Sequence, residues 1–204
     1  MLEKSIKAEA RKLGFELAGI TTPDPPPHFG VFERWLESGR HGDMDYLATQ
    51  RSLQRRSDPR RILPECKSIL VLGIRYANPE STPSPRQAES PCQREPDADW
   101  QPFDREQPTT EARPVPYGRV ASYAWGEDYH HALLPRLQAL VDFIEAKVGR
   151  SIPNRFYTDT GPLLERDLAQ RAGLGWIGKN TCLINPRSGS YFLLAEILLG
   201  LELT

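Results

Sequence analysis

The sequence predicts an α/β fold in which a mixed central sheet is flanked by helices. Residues 68–76 form a near-continuous apolar run rich in β-forming residues, which is typical of a strand buried on both faces. Apolar residues recur at helical spacing before and after this run, in residues 2–13, 29–36 and 133–144. Shorter apolar runs bounded by turn-forming residues supply the remaining strands.

The first half contains two predicted helices and one strand ahead of the central run. The first helix ends at Gly14, and a strand follows over residues 15–21. After an extended proline connector, a second amphipathic helix ends near Gly39, and a short helical stretch covers residues 44–48. The apolar positions that indicate the two helices are Leu2, Ile6, Leu13, Phe29, Phe32, Trp35 and Leu36.

A long amphipathic helix is predicted in the second half. Asp128 is suited to cap its first turn, because its side chain can accept backbone N–H bonds. Pro135 falls early in the helix, where a missing N–H is tolerated best. The core-facing stripe is expected to be Leu133, Leu137, Leu140, Val141 and Ile144.

The C-terminal third is predicted to form a strand, a helix and a hairpin. A short strand over residues 154–158 leads into a helix that starts at residues 159–162, with a proline near its first position. Two apolar runs, residues 181–185 and 190–199, are joined by a Pro-Arg-Ser-Gly turn and indicate a β-hairpin.

Residues 78–116 differ in composition from the rest of the chain. They hold nine of its 19 prolines, separated by Glu, Gln, Asp, Ser and Thr. Such a stretch cannot bury enough apolar surface to offset its ordering entropy. We therefore predict one domain over residues 1–204 with a flexible, proline-rich insert.

Composition excludes several classes of protein. The chain has 204 residues and a net charge of -1, so it is not a basic nucleic-acid-binding module as a whole. Its cysteines, Cys66, Cys92 and Cys182, form no C-x-x-C, and they supply neither a zinc nor an iron–sulfur site. Sparse cysteines indicate a reducing cytosol. The longest apolar runs are shorter than the about 20 residues needed to cross a bilayer, so a cytoplasmic protein is expected.

Asp159 is the candidate catalytic residue that the pattern itself suggests. It lies at the end of a predicted strand, ahead of Thr-Gly-Pro, where an aspartate commonly acts as a helix N-cap. The alternative is a general acid, whose pKa would be raised by burial against a large ligand. Arg166 follows seven residues later, about two helical turns on, so both side chains could line one rim.

The other candidates also have ordinary structural explanations. Gly175 and Gly178 allow a close approach to a flat ligand, or simply form a tight loop before a strand. The arginine cluster is either a solvated face or a contact for phosphate groups; its members are Arg55, Arg56, Arg60 and Arg61. No metal site is expected, because His130 and His131 are adjacent and point to different parts of a helix.

Six longer motifs, taken in order and spacing, resemble the N-terminal portion of epoxyqueuosine reductases. The resemblance extends over nearly the whole chain except the 78–116 insert, and several motifs in register are more specific than any one of them. The motifs are HGDMDYL at 41–47, RSDP at 56–59 with ILP at 62–64, SYAWGEDYH at 122–130, DTGPLLERDLA at 159–169, AGLGWIGKN at 172–180 and GSYFLLAE at 189–196.

The resemblance implies a cobalamin-dependent oxidoreductase of queuosine biosynthesis. Members of the family reduce epoxyqueuosine at the wobble position of certain tRNAs to queuosine. Their cobalamin domain has a nitroreductase-like, cobalamin-processing-like α/β fold. The family motif makes Asp159 the proton donor and places Arg166 near the tRNA. The cobalamin contacts carried over are Arg56, Ala121, Asp159, Gly178, Leu183 and Leu194.

One departure from the family pattern affects the expected activity. Family members continue into a ferredoxin-like segment that binds two [4Fe-4S] clusters, and the cluster ligands are not in this chain. An external or missing electron-transfer domain is therefore expected as a partner. The chain alone is expected to show weak or no turnover and to be a monomer. Other hypotheses are a non-catalytic corrinoid-binding protein, a flavin nitroreductase-like enzyme and a structural domain without a ligand.

Overall fold

The computed structural model describes residues 2–76, 121–124 and 127–203. The chain divides into two compact units, one of residues 1–76 and 126–204 and one of residues 77–125. The predicted insert at 78–116 lies outside the described residues. The described part of the second unit contains a single 3-10 turn, Ser122–Ala124.

Helices of the first unit follow the predicted order, with one addition. Leu133, Leu137, Leu140, Val141 and Ile144 are buried as expected, and the side chain of Asp128 caps their helix by accepting from the backbone N–H of His130. The addition is α3, whose cap is Thr49. The helices are α1 Leu2–Lys12, α2 Phe29–Glu37, α3 Gln50–Ser57, α4 Tyr129–Val148 and α5 Glu165–Arg171, with 3-10 turns at Asp45–Leu47 and Pro59–Arg61.

Four of the described strands form one sheet in the order β1-β2-β6-β3. The six described strands are β1 Leu17–Thr21, β2 Ser68–Arg75, β3 Asn154–Tyr157, β4 Trp176–Ile177, β5 Leu183–Ile184 and β6 Phe192–Leu199. The expected central strand is confirmed as β2, which lies between β1 and β6. The α/β class is also confirmed. Pairing is antiparallel throughout the described sheet, where a mixed sheet was expected.

The sheet separates two apolar cores. On one face, α1 and α4 cover side chains such as Leu70, Leu72 and Ile197. On the other face, Leu168 of α5 lies in a core with Ile69 and Val71 of β2. Alternation along each strand explains this division, because successive side chains of a strand point to opposite faces. None of the described helices combines the length and the apolar character that a membrane-spanning segment requires.

Two predictions about the C-terminal third are wrong. The helix expected to start at residues 159–162 begins at Glu165, because Leu164 directly before it has a ψ of 77°, which a right-handed helix cannot use. Asp159, at the start of the same segment, has a φ of 57°, in the left-handed region. The predicted hairpin is also replaced. An isolated bridge between Asn185 and Gly189 closes the turn, but β5 pairs with β4 in a separate two-stranded sheet.

Candidate functional site

The loop after β3 carries Asp159 away from the edge of the sheet. Thr158 is buried, and its Oγ1 donates a 3.0 Å hydrogen bond to the carbonyl of Leu194 on β6. A Cβ at Gly161 would fall 2.7 Å from the Cβ of Tyr157, so glycine lets the loop fold closely onto the end of β3. Between these two anchors, the Asp159 side chain is 67% exposed. The loop therefore presents a carboxyl group outward from a fixed base.

The first turn of α4 supplies the neighbours of this carboxyl group. The hydroxyl of Tyr129 donates a 2.7 Å hydrogen bond to Oδ2 of Asp159, and Nε2 of His130 lies 4.0 Å from the same oxygen. The two rings stack with centroids 4.1 Å apart. Burial raises the pKa of Tyr129 well above its ordinary value of 10, and the negative charge of Asp159 raises it further. Tyr129 is thus a stable donor to Asp159 at physiological pH.

A second carboxyl group, Glu165, lies at the start of α5. Its Oε1 is buried and has no hydrogen-bond partner in the described part of the chain. Burial is the main cause that raises its pKa to about 7, and the charge of Asp159 adds to the rise. The backbone N–H of Asp159 and the guanidinium groups of Arg166 and Arg56 act in the opposite direction.

Glu196 on β6 is a third carboxyl group near the same loop. It pairs in register with Tyr157, the last residue of β3, and it is completely buried. Neither of its oxygens has a hydrogen-bond partner among the described residues. Burial raises its pKa well above the ordinary value, and the charges of Glu165 and Asp159 raise it further. Glu196 is therefore a neutral acid at pH 7, since an isolated buried carboxylate is strongly disfavoured.

Arg56 lies on α3, the helix that the sequence analysis did not predict. Its Nη1 donates to Oγ of Ser52, and its guanidinium lies 5.7 Å from the ring centroid of Phe32. Burial lowers the pKa of Arg56, and Tyr46 and Glu165 raise it. Because an arginine stays charged in proteins, Arg56 is a half-buried cation directed by local contacts.

Arg166 joins α5 to the turn between β4 and β5. Its Nη1 donates to the carbonyl of Thr181 at 2.5 Å and to its Oγ1 at 3.1 Å. Thr181 has a φ of 64°, so this contact supports a strained turn. The prediction that helical spacing would align Arg166 with Asp159 is wrong, because a loop separates Asp159 from α5. The two residues are related instead through Glu165, whose pKa both of them affect.

The other residues expected to contact cobalamin lie in the core, in a turn and in the second unit. Leu183 is buried in the α5-side core, and Leu194 is partly buried against that core. Gly178 begins the β4–β5 turn, where a Cβ would come within 2.6 Å of the side chain of Ile184. Ala121 belongs to the second unit.

Arg56, Asp159 and Arg166 thus all affect the pKa of Glu165. Leu194 is connected to the Asp159 loop by the hydrogen bond from Thr158. Sequence reasoning did not assign roles to Tyr129, Glu165 or Glu196. A signal was present for Glu196, because it is the one charged residue in the apolar run 192–199. For the other two, the relevant contacts depend on tertiary structure. No group of three or more potential metal ligands occurs among the residues described.

Comparison with known proteins gives the family. A family model described as Epoxyqueuosine reductase QueG, DUF1730, matches residues 56–160, just over half of the chain. The chain is 37% identical over 202 residues to an epoxyqueuosine reductase of Pseudomonas aeruginosa, with 99% of this chain and 48% of that protein covered. The chain therefore spans about half the length of the curated relatives it matches.

Two solved structures are similar over the whole chain. One is an epoxyqueuosine reductase with an epoxyqueuosine-modified tRNA-Tyr stem loop, with 26% identity, a TM-score of 0.71 and coverage of 100% of this chain and 46% of that one. The other is the Bacillus subtilis enzyme with its aspartate catalytic loop swung out of the active site, with 25% identity, a TM-score of 0.68 and the same coverage. From the family model and these similarities, we conclude that the chain belongs to the epoxyqueuosine reductase family.

Proposed function

We propose that this chain forms the cobalamin-binding, catalytic portion of an epoxyqueuosine reductase, with Asp159 as the proton donor. The observation that carries the proposal is the Asp159 loop, which holds an exposed carboxyl group against the hydroxyl of Tyr129. A catalytic aspartate on a loop is also what is described for the Bacillus subtilis relative. The substrate would be a tRNA carrying epoxyqueuosine, as in the stem-loop complex of another relative.

The residues expected to hold cobalamin fit that cofactor in part. Leu194 is partly buried next to Thr158, and Arg56 is a half-buried cation that affects Glu165, so both have a relation to the Asp159 loop. Leu183 is used by the core. A Cβ at Gly178 would clash with the side chain of Ile184, so internal packing alone explains the glycine at this position. We therefore assign the cofactor to Arg56, Leu194 and Asp159, with Leu183 and Gly178 contributing backbone atoms.

In this mechanism the chain supplies orientation and a proton. Bound cobalamin would supply the reducing electrons. When a carbon–oxygen bond of the epoxide opens, the departing oxygen needs a proton, and a carboxyl group within hydrogen-bond reach can donate it. Because Tyr129 occupies Oδ2 of Asp159, we assign the donated proton to Oδ1. The same hydrogen bond stabilises the carboxylate that remains after the transfer.

Arg166 is proposed to support the tRNA side of the site. Its side chain is exposed and already fixes the backbone of Thr181 in the β4–β5 turn. Phosphate contacts position a nucleic acid without reading its sequence, and arginine is well suited to make them. Because the net charge of the chain is -1, tRNA binding must depend on such local cations.

The proposal is tested by titrating the purified chain with cobalamin and recording the visible spectrum. We expect saturable binding with a shifted cobalt spectrum in both the wild type and Asp159→Asn, and weaker binding in Arg56→Gln. Purification with a flavin spectrum would contradict the proposal in favour of a nitroreductase-like enzyme. A folded chain that binds cobalamin, and that converts no epoxyqueuosine tRNA when a reductant is supplied, would indicate a corrinoid-binding protein.

A further inference from the structure

The stoichiometry of the proposed reaction requires more protons than Asp159 can hold. Reduction of an epoxide consumes two electrons and two protons, whether the products are an alkene and water or an alcohol. The electrons would come from reduced cobalamin, as proposed above. One carboxyl group donates one proton at a time, so each turnover needs a second proton, delivered either directly to the product oxygen or by protonating Asp159 again. A bound tRNA would cover the exposed side of Asp159, which limits its access to water.

Two acids lie on the protein side of the Asp159 loop. Glu196 is paired in register with Tyr157, two residues before Asp159, and is completely buried. Thr158 ties the loop to β6 through the carbonyl of Leu194, two residues before Glu196 and on the same face. Glu165 begins the helix at the other end of the loop. The loop that carries Asp159 thus begins beside Glu196, on the neighbouring strand, and ends at Glu165.

Both acids have buried oxygens without partners, although Glu165 also accepts a hydrogen bond from the backbone N–H of Asp159. Both oxygens of Glu196 and one oxygen of Glu165 are buried without a hydrogen-bond partner in the described residues. Buried polar groups in proteins are normally hydrogen-bonded, and an exception calls for an explanation such as a catalytic role. A leucine would fill the strand position of Glu196 without this cost.

Burial, together with the neighbouring carboxyl groups, favours the protonated form of these acids. The groups that act on Glu165 are Asp159, Arg166 and Arg56, and burial outweighs the two arginines. Glu165 and Asp159 are the groups that act on Glu196, and both oppose its ionisation. At neutral pH Glu196 is therefore protonated, and Glu165 exchanges its proton readily because its pKa is about 7.

We propose that Glu165, backed by the buried Glu196, is the second proton source of the reaction and returns a proton to Asp159 after the first transfer. In this step an O–H bond of Glu165 breaks, an O–H bond forms on the Asp159 carboxylate, and no electrons move. Solvent restores the proton to Glu165 between turnovers, because Glu165 is only partly buried, while the completely buried Glu196 keeps its own proton. This inference rests on the proposed function, since it assigns a residue to the same reaction.

The first test needs neither cofactor nor substrate. The chain is labelled with 13C at glutamate side-chain carboxyl carbons, and NMR follows their titration from pH 4 to pH 9. We expect Glu165 to titrate near pH 7 and Glu196 to stay protonated at that pH, with the signals assigned by Glu165→Gln and Glu196→Gln. Glu37→Gln, at the exposed end of α2, is the matched control and should leave the signals of Glu165 and Glu196 unchanged. Ionisation of both Glu165 and Glu196 at pH 6 would overturn the inference.

The second test measures single turnover of the cobalamin-loaded chain with epoxyqueuosine stem loop and a chemical reductant such as titanium(III) citrate. We expect Glu165→Gln to lower the rate by about tenfold or more and to remove the loss of rate as pH rises through 7, with Glu37→Gln unchanged. If Glu165→Gln keeps both the rate and the pH profile of the wild type, the inference is wrong while the proposed function stands. An inactive wild type would refute the proposed function and the inference with it.

Discussion

Replacing Glu165 by glutamine should change how the stability of the chain depends on pH. The pKa of Glu165 rises from an ordinary value of 4.5 to about 7 in the folded chain, so the folded state binds this proton more tightly than the unfolded state. Its contribution to stability is fully present below pH 4.5 and is lost as pH rises through about 7. Since one pKa unit corresponds to about 1.4 kcal/mol, ionised Glu165 costs about 3 kcal/mol of unfolding free energy.

The assay is urea unfolding of the wild type and Glu165→Gln at pH 5, 6, 7 and 8, followed by circular dichroism. The quantity of interest is the difference between the two unfolding free energies, because titrating groups distant from Glu165 cancel in it. We expect the difference to shift in favour of Glu165→Gln by about 2.5 kcal/mol from pH 5 to pH 8, because part of the effect is already present at pH 5. Glu37→Gln serves as the control and should follow the wild type. A difference that is independent of pH, or that shifts toward the wild type, would refute the electrostatic description of this site.

Three further predictions concern individual contacts. Tyr129→Phe should slow single turnover while changing the unfolding free energy by only about 1 kcal/mol, since the hydrogen bond it removes ends on the exposed Asp159; unchanged turnover would contradict the role of Tyr129. Leu140→Ala should cost about 2–5 kcal/mol in urea unfolding, whereas the half-exposed Leu134→Ala should cost far less, and equal effects would contradict the assigned core. Gly19→Ala should lower the thermal midpoint strongly, because its Cβ would fall 2.2 Å from a backbone carbonyl after α5; an unchanged midpoint would contradict that packing.

Much of the fold could be predicted because hydrophobic periodicity is a local property. The stripe of α4 and the buried strand β2 were both recognised from spacing alone, and both are confirmed. The helix α3 was missed because its sequence, QRSLQRRS, has almost no apolar stripe. Its stability comes from a threonine cap and from contacts such as Arg56 over Phe32, which sequence spacing does not reveal.

The loop at Asp159 shows where sequence reasoning reached its limit. The Asp-Thr-Gly-Pro segment has the composition of a helix start, but the left-handed backbone of Asp159 and the non-helical backbone of Leu164 place the first helical residue at Glu165. The left-handed conformation of Asp159 is maintained by the surrounding structure, here by the hydrogen bond from Thr158 to Leu194 on β6 and by the packing of Gly161 against Tyr157. The motif resemblance implies that Asp159 is the proton donor, but it gives no reason for Glu165 and Glu196 beside it.

The central claim is that this chain holds cobalamin and donates a proton to epoxyqueuosine from Asp159. The most direct test is single turnover of an epoxyqueuosine-modified stem loop by the cobalamin-loaded chain under a chemical reductant, with Asp159→Asn measured in parallel. We predict formation of queuosine by the wild type and a rate at least about 100-fold lower for Asp159→Asn, with equal cobalamin binding by both. Equal rates for the two proteins would contradict the assignment of Asp159, and a cobalamin-loaded wild type that forms no queuosine would contradict the proposed function.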